Sequence, residues 1–331
     1  MFKLDYVITI GGKEFRGVNH VEIKRSITSL TGTAIIKVPS TAVLKQTDGS
    51  KLNVLTSQQI KRGDAVEIEL GYNGKLFKEF SGYVKRVNFT RPLEIECEDA
   101  VFLLRSKYIK KTYKKSDKPT LNKVLSDLLE GTGLSFDTGG LSINIDQLIL
   151  ATDSGGEIPR EEALNYVLDR YGLVGYFDTD QKLFIGLRQG KRGRTTKYKL
   201  GWNTIKDDEL KFHTADDMKI KIKAIYINKL GVRTEVEVGD EDGSGRTIFL
   251  SDVEDAATMK KLAQNELDKF KYDGFEGKIT AFLQPFAEPS GIIEIEDEKY
   301  SQRNGSYYCD GVEVTFGSNG ARRIIQIGAK V

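Results

Sequence analysis

The chain has 331 residues, 39% of them hydrophobic and 30% charged, enough apolar material for two or three packed domains or one elaborate one and too much for a disordered chain. Fifty basic residues against 48 acidic ones leave a formal charge of +2, which excludes binding of nucleic acid by bulk charge. No apolar run reaches membrane-spanning length, so no membrane insertion is expected; the opening "MFKLDYVITIGG" lacks a signal-peptide plan, and synthesis in a reducing cytoplasm is expected.

Residues 1–104 read as strands. Phe2–Ile10 alternates, "GG" at 11–12 turns it, Val21–Ile27 alternates again, and "TGTAIIKVP" stops at Pro39. The polar stretch 40–61 is expected to be a long loop. "GDAVEIELGY", "KLFKEFSGYVKRVNF" and "LEIECED" follow, and short, evenly punctuated strands of this kind suggest a barrel or sandwich. "RGD" at 62–64 has the form of an adhesion tripeptide, but its aspartate opens a strand.

The period changes over 105–190, which is expected to be a small α+β insert. Leu121, Val124, Leu125, Leu128 and Leu129 fall at helical spacing after Asp117 and Thr120 as caps and before Gly131. Ala163, Leu164, Val167 and Leu168 mark a second helix ending at Gly172, and "LVGYFDTDQKLFIGL" reads as a hairpin about Asp178–Gln181.

Residues 191–331 return to strands, forming a second β-domain with a helix at about 252–271 that starts from the capping box Ser251 and Glu254. "GDEDGSGR" at 239–246 has neither the lysine nor the helix of a phosphate loop. Its Asp240, Glu241 and Asp242 do not fit an EF-hand, so a hairpin tip is expected.

Glu67 and Glu69 share one face of a strand, roughly 6–7 Å apart, a separation near that of an inverting glycosidase pair. An internal repeat argues for a structural role. Shifted by 227 residues, "GDAVEIEL" lies on "SGIIEIED", so Val66, Glu67, Ile68 and Glu69 meet Ile293, Glu294, Ile295 and Glu296. The same shift lays Phe80 on Tyr307, Val87 on Val314 and Phe89 on Phe316, without a gap. A shift of 199 lays Val21, Ile23 and Gly32 on Ile220, Ile222 and Gly231. A doubled glutamate pair fits the wet face of a repeated strand better than an active site.

His20 and His213 have no Cys or His near them in sequence, and Cys97 and Cys309 form no CxxC pair, so a His-based metal site or triad has almost nothing to build with and a disulfide is unsupported. No catalytic, cofactor-binding or metal residue is therefore assigned, and no cofactor is expected. The basic runs Lys107–Lys118 and Arg188–Lys199, interleaved with Tyr108, Tyr113 and Tyr198, are the alternative nucleic-acid surface, and solvated loops the plainer one.

The order of elements carries a resemblance. "IECEDAVFLL", "KPTLNKVLSDLLEGTGL", "PREEALNYVLDRYGLVGYFDTDQKLFIGL" and "GSYYCDGVEVTFGSNGARRIIQIGAK" follow one another along the chain. In this it resembles the baseplate hub proteins of contractile phage tails: the Mu-like tail hub, the late control gene D proteins and the hub portion of VgrG. One departure is "EPSGIIEIED", where an aspartate is expected after the glycine. The resemblance implies a mainly β (α+β) chain with two tail-tube-like β-barrel domains of similar plan and a small α+β insert between them. It also implies a non-enzymatic homotrimer with a pseudo-hexameric ring, joining the tail tube protein to the spike protein alongside other baseplate proteins. DNA or cargo would pass through its channel without specific binding. The place implied is the tail baseplate of a virion or related injection machine, assembled in the bacterial cytoplasm.

Overall fold

The computed structural model describes residues 3–331 apart from 46–50, 142, 146, 172, 187–192, 207–208, 228–232, 251–254 and 269. The sequence expectations at Gly172, Gly231, Ser251 and Glu254, and at the start of the Arg188–Lys199 run, lie outside the described residues.

The first β-domain is built from β1 (Leu4–Ile10), β2 (His20–Ser26), β3 (Thr33–Val38), β4 (Ala65–Tyr72), β5 (Lys75–Asn88) and β6 (Leu93–Glu98). Each strand alternates, and the inward residues Ile8, Val21, Ile36, Ile68, Phe80 and Ile95 meet in one core. The β4–β5 turn is Asn73–Gly74, with φ of 52° and 78°, the two positive dihedrals that a tight two-residue hairpin needs. The stretch 40–61 is more ordered than its polarity suggests: Thr41–Lys45 pairs with Lys51–Leu55, and a 3-10 turn follows at Thr56–Gln59.

The insert holds α1 (Val101–Arg105), α2 (Leu121–Leu129), α3 (Arg160–Tyr171), β7 (Val174–Phe177) and β8 (Leu183–Gly186). The Thr120 side chain caps α2 by accepting from Lys123 N, and Gly131 follows at φ 68°. The helices bury Leu104, Leu125, Leu128, Leu164 and Val167 in a separate core. That core also takes in Leu30 of the first β-domain and Ala100, Val101 and Leu104, because α1 turns its apolar side to the helices. The β7–β8 hairpin lies where expected and docks on β5: Gln181 Nε2 donates to Ser81 Oγ at 2.7 Å, and Lys78 meets Asp180 at 3.3 Å.

The last part comprises β9 (Thr195–Lys199), β10 (Thr204–Lys206), β11 (Lys211–His213), β12 (Ile220–Ile227), β13 (Arg233–Gly239), β14 (Ser244–Leu250), α4 (Ala256–Asp268), β15 (Gly274–Ala281), β16 (Ile292–Glu296), β17 (Gly305–Gly317) and β18 (Gly320–Lys330). It is not one β-domain. Strands β12–β14 form their own sheet, order β13–β12–β14, and bury Ile222, Ala224, Met259 and Ala263 against α4. Because β13 and β14 flank β12, residues 240–243 cross the end of β12 and are no hairpin tip. The remaining strands gather around Tyr198, Ile279, Ile293, Tyr307 and Ile325. The 199-residue shift therefore relates β2 to a strand in a different setting, since β15 occupies the place beside β18 that β3 holds beside β6.

One sheet runs through both β-domains in the order β10–β15–β18–β17–β2–β3–β6–β5–β4–β1. The seam is β17·β2, antiparallel, from Gly311↔Ser26 to Gly317↔His20. Two register shifts between Tyr307 and Gly311 change the face that β17 turns inward. Tyr307 and Cys309 face inward before the shifts and Val312, Val314 and Phe316 after them; along the strand Tyr307, Cys309 and Val312 pack in the second core and Val314 and Phe316 in the first.

Phe316 is 4% exposed, but Phe89, its counterpart under the 227-residue shift, lies past the end of β5 and is 82% exposed. Phe316→Ala should cost about 3–5 kcal/mol in denaturant unfolding, and Phe89→Ala should stay within roughly 0.5 kcal/mol of wild type in the isolated chain.

Candidate functional site

Of the repeated strand positions, Val66, Ile68, Phe80, Ile293, Ile295, Tyr307, Val314 and Phe316 are buried, Val87 packs half-buried on the first core, and Phe89 stands in solvent. The shift preserves faces but not partners. Ile68 pairs with Phe80, whereas Ile293 rather than Ile295 pairs with Tyr307.

The glutamates between them point outward. Glu67 is exposed and meets Lys78 at 3.1 Å, while Glu69 is half-buried beside Val7 and Lys78 in the ladder. In the second copy Glu294 is exposed, and Glu296 pairs with Lys197 and lies 3.8 Å from Lys199. The Lys197 ammonium holds Glu296 below the usual carboxylate range. Each acid that has a partner has a cation, which is the arrangement of a solvated strand face.

Part of each basic run is ion-paired. In the first, Lys111 meets Asp127 at 2.7 Å and the Tyr113 hydroxyl donates to the same carboxylate at 2.9 Å, which Lys123 of α2 also meets at 2.9 Å; in the second, Lys197 pairs with Glu296 and Lys199 with Glu298. Burial opposes the charge on Asp127, but these three donors outweigh it and hold its pKa low. Asp240 pairs with Lys271 at 2.7 Å and accepts from Ile220 N, and Asp242 pairs with Lys219. Asp64 of the RGD tripeptide accepts from Lys61 N at 2.8 Å. His213 is buried edge-on against Tyr272. Among the described residues no cluster of His, Cys, Asp or Glu could hold a metal ion. Cys97 and Cys309 are free thiols in different cores, and burial pushes Cys309 up to about 12.

The strongest electrostatic feature lies at the seam. Arg323 on β18, 0% exposed, donates from Nη2 to Glu79 of β5 at 2.5 Å, from Nη1 to Ala287 O at 2.9 Å and from Nε to Leu283 O at 3.2 Å. Its guanidinium lies 4.7 Å from the Phe286 ring centre; Arg194 lies 4.8 Å from the same centre, and Phe77 of β5 stacks on Phe286 at 4.8 Å. Burial pulls the pKa of Arg323 down, but the Glu79 carboxylate outweighs it and holds the guanidinium above its ordinary value. Glu79 reaches the pair as the extra residue of a bulge opposite Ile68–Glu69.

Next to the pair, Arg25 of β2 has Nε and Nη2 shut off from solvent and without a hydrogen-bond partner among the described residues. With Asp99, Glu288 and Tyr176 it lines a cavity of about 30 Å³ where both β-domains meet the insert, room for a water. Asp99 accepts from Gly32 N at 2.5 Å and Val101 N at 3.0 Å, yet burial pushes its carboxyl up to about 7.

Sequence reasoning missed this cluster. In β18 the inward set Ala321, Arg323, Ile325 and Ile327 places an arginine where the alternation calls for an apolar residue, and that was the available signal. Glu79 gave none, because a bulge reverses its face.

No family model matches the sequence, and no curated protein matches it. Solved structures do match. A 43 kDa tail protein of prophage MuSo2 from Shewanella oneidensis aligns over 98% of this chain and 97% of its own, at TM-score 0.60 and 17% identity. A tail protein from Neisseria meningitidis aligns over 99% and 96%, at 0.62 and 13%. An E. coli component of the type VI secretion system aligns over 97% and 76%, at 0.60 and 9%. The chain has the fold of phage tail and VgrG-like proteins. That fold is mostly β, with large antiparallel sheets.

Two predictions follow from the seam. Arg323→Ala strands the buried Glu79 carboxylate and should cost about 3–5 kcal/mol; combined with Glu79→Gln the loss should fall short of the sum of the single effects, as a double-mutant cycle in urea will read. Asp99 has a folded pKa above its ordinary 3.8, so between about pH 4 and 7 the folded chain keeps a proton that the unfolded chain has lost. Its contribution to stability is present below pH 4 and is lost as pH rises to 7. Asp99→Asn should flatten that part of the stability–pH curve.

Proposed function

We propose that this chain is a structural hub of a contractile phage tail or related injection machine. Three copies form a pseudo-hexameric ring that joins the hexameric tail tube to the trimeric spike. The observation that carries this is the seam: β17 enters both cores and fuses two β-domains into one sheet, so each subunit supplies two neighbouring positions of a six-position ring. The two β-domains share the strand order β4–β5–β6–β3 and β16–β17–β18–β15, which supports a duplicated plan. The similarity to phage tail proteins supports the setting: a tail baseplate, assembled in the bacterial host, without turnover or cofactor.

The polar face of the sheet is our candidate channel lining. Its charges are paired along and across strands, Lys24 with Glu22 of its own strand at 2.5 Å and with Glu313 of β17 at 4.0 Å, Lys37 with Glu94 at 3.2 Å and Arg86 with Glu96 at 2.6 Å. A face neutralised in this way offers DNA or other cargo few free cations to hold it, and so suits passage without specific binding.

Sedimentation velocity of the purified chain, alone and mixed with its tube and spike proteins, tests the assembly. A species of three chains is expected in at least one condition. A single chain throughout, at high concentration and with both partners, contradicts it.

A further inference from the structure

We propose that one face of the insert docks an acidic segment of a partner protein, with Ile149 and Tyr166 as its apolar anchors and Lys110 and Lys114 beside them. Such a site adds to the hub reading and needs no trimer.

The strand of residues 111–113 pairs with that of residues 148–150, Thr112 opposite Ile149. Alternation sorts their side chains into two faces. Inward, Tyr113, Leu148 and Leu150 enter the insert core, and Lys111 and the Tyr113 hydroxyl bind Asp127. Outward stand Lys110, Thr112 and Lys114 on one side and Gln147, Ile149 and Ala151 on the other, with no acid among them. Ile149 is 52% exposed, and Lys110 and Lys114 are its diagonal neighbours across the ladder. Both lysines are exposed and form no ion pair among the described residues.

Helix α3 adjoins this face. Arg170 donates from Nη2 to Gln147 O at 3.2 Å and from Nη1 to the Tyr166 hydroxyl at 2.9 Å, and Tyr166 is 44% exposed. Arg170 thereby joins apolar groups from two elements into one patch. A tyrosine and an arginine beside an aliphatic group have the composition of an interface centre. Lysines left unpaired at its margin favour an acidic partner and speed its approach. Asp127 braces the face from behind, holding Lys111 and Tyr113 to Lys123 of α2, so little freedom is lost on docking.

Nucleic acid fits the face less well. Of the tyrosines interleaved with the basic runs, Tyr113 and Tyr198 are buried and offer no ring for a base to stack on. Tyr166 has its ring beside the Arg170 guanidinium at 6.0 Å, and Ile149 at the centre has no ring at all.

A fluorescein-labelled peptide with one leucine between two runs of four glutamates tests this, by anisotropy against the whole chain. Wild type is expected to bind it. Binding should weaken about tenfold in Ile149→Ser, and by more in Lys110→Glu combined with Lys114→Glu. Lys61→Glu, on the first β-domain, is expected to change nothing. All four sites are exposed, so the circular dichroism melts should match that of wild type. Duplex DNA of the same charge is expected to bind more weakly than the peptide. Peptide binding that is absent, or unchanged in the insert variants, overturns the docking site. Tighter binding of DNA, lost in the same variants, overturns it in favour of nucleic acid. A wild-type oligomer that Ile149→Ser dissociates overturns it in favour of a second copy of this chain.

Discussion

Arg323 and Glu79 come from strands 244 residues apart and meet where no water reaches them. An ion pair in that position holds only if its remaining donors are satisfied, and Arg323 meets that demand with the carbonyls of Leu283 and Ala287 and the face of Phe286. The loop 283–287 is thereby fixed against both β-domains at once. A charge so deep contributes little to net stability compared with an apolar replacement. Its effect is on register, since slippage of the domains would strand two charges.

The seam strand does the same with apolar groups. Along its length β17 serves two cores, so the domains share packing as well as hydrogen bonds. Relative motion of the two β-domains would have to break a ladder of seven residue pairs and uncover Val314 and Phe316 together. Such a unit suits a part that must transmit force or hold a bore open. The insert is attached through the Gln181–Ser81, Lys78–Asp180 and Tyr176–Ser290 contacts, the Arg105–Glu98 ion pair and Leu30, which packs in the insert core.

Alternation made much of this visible beforehand. The period-2 pattern located the strands of the first β-domain, the 3.6 period located α2 and α3, and the repeat "GDAVEIEL"/"SGIIEIED" showed that Glu67 and Glu69 stand on a strand face. What stayed hidden was non-local. Pattern cannot say which strand sits beside which, so β12–β14 read as part of the second β-domain although they pair only with one another. Bulges were equally silent: one extra residue turned Glu79 inward, and the shifts before Gly311 turned Val312, Val314 and Phe316 inward. Phe89 and Phe316 look alike in sequence, yet Phe89 lies past the end of β5 in solvent while Phe316 lies within β17 beside β2.

The central claim is that two β-domains fused into one sheet make one third of a ring. A single-particle electron cryomicroscopy map of the assembled protein tests it most directly. Three chains contributing six β-domains around a channel are expected, with the β-domains of neighbouring chains in contact. A closed particle with another number of chains, or one in which the β-domains of neighbouring chains do not touch, would contradict it.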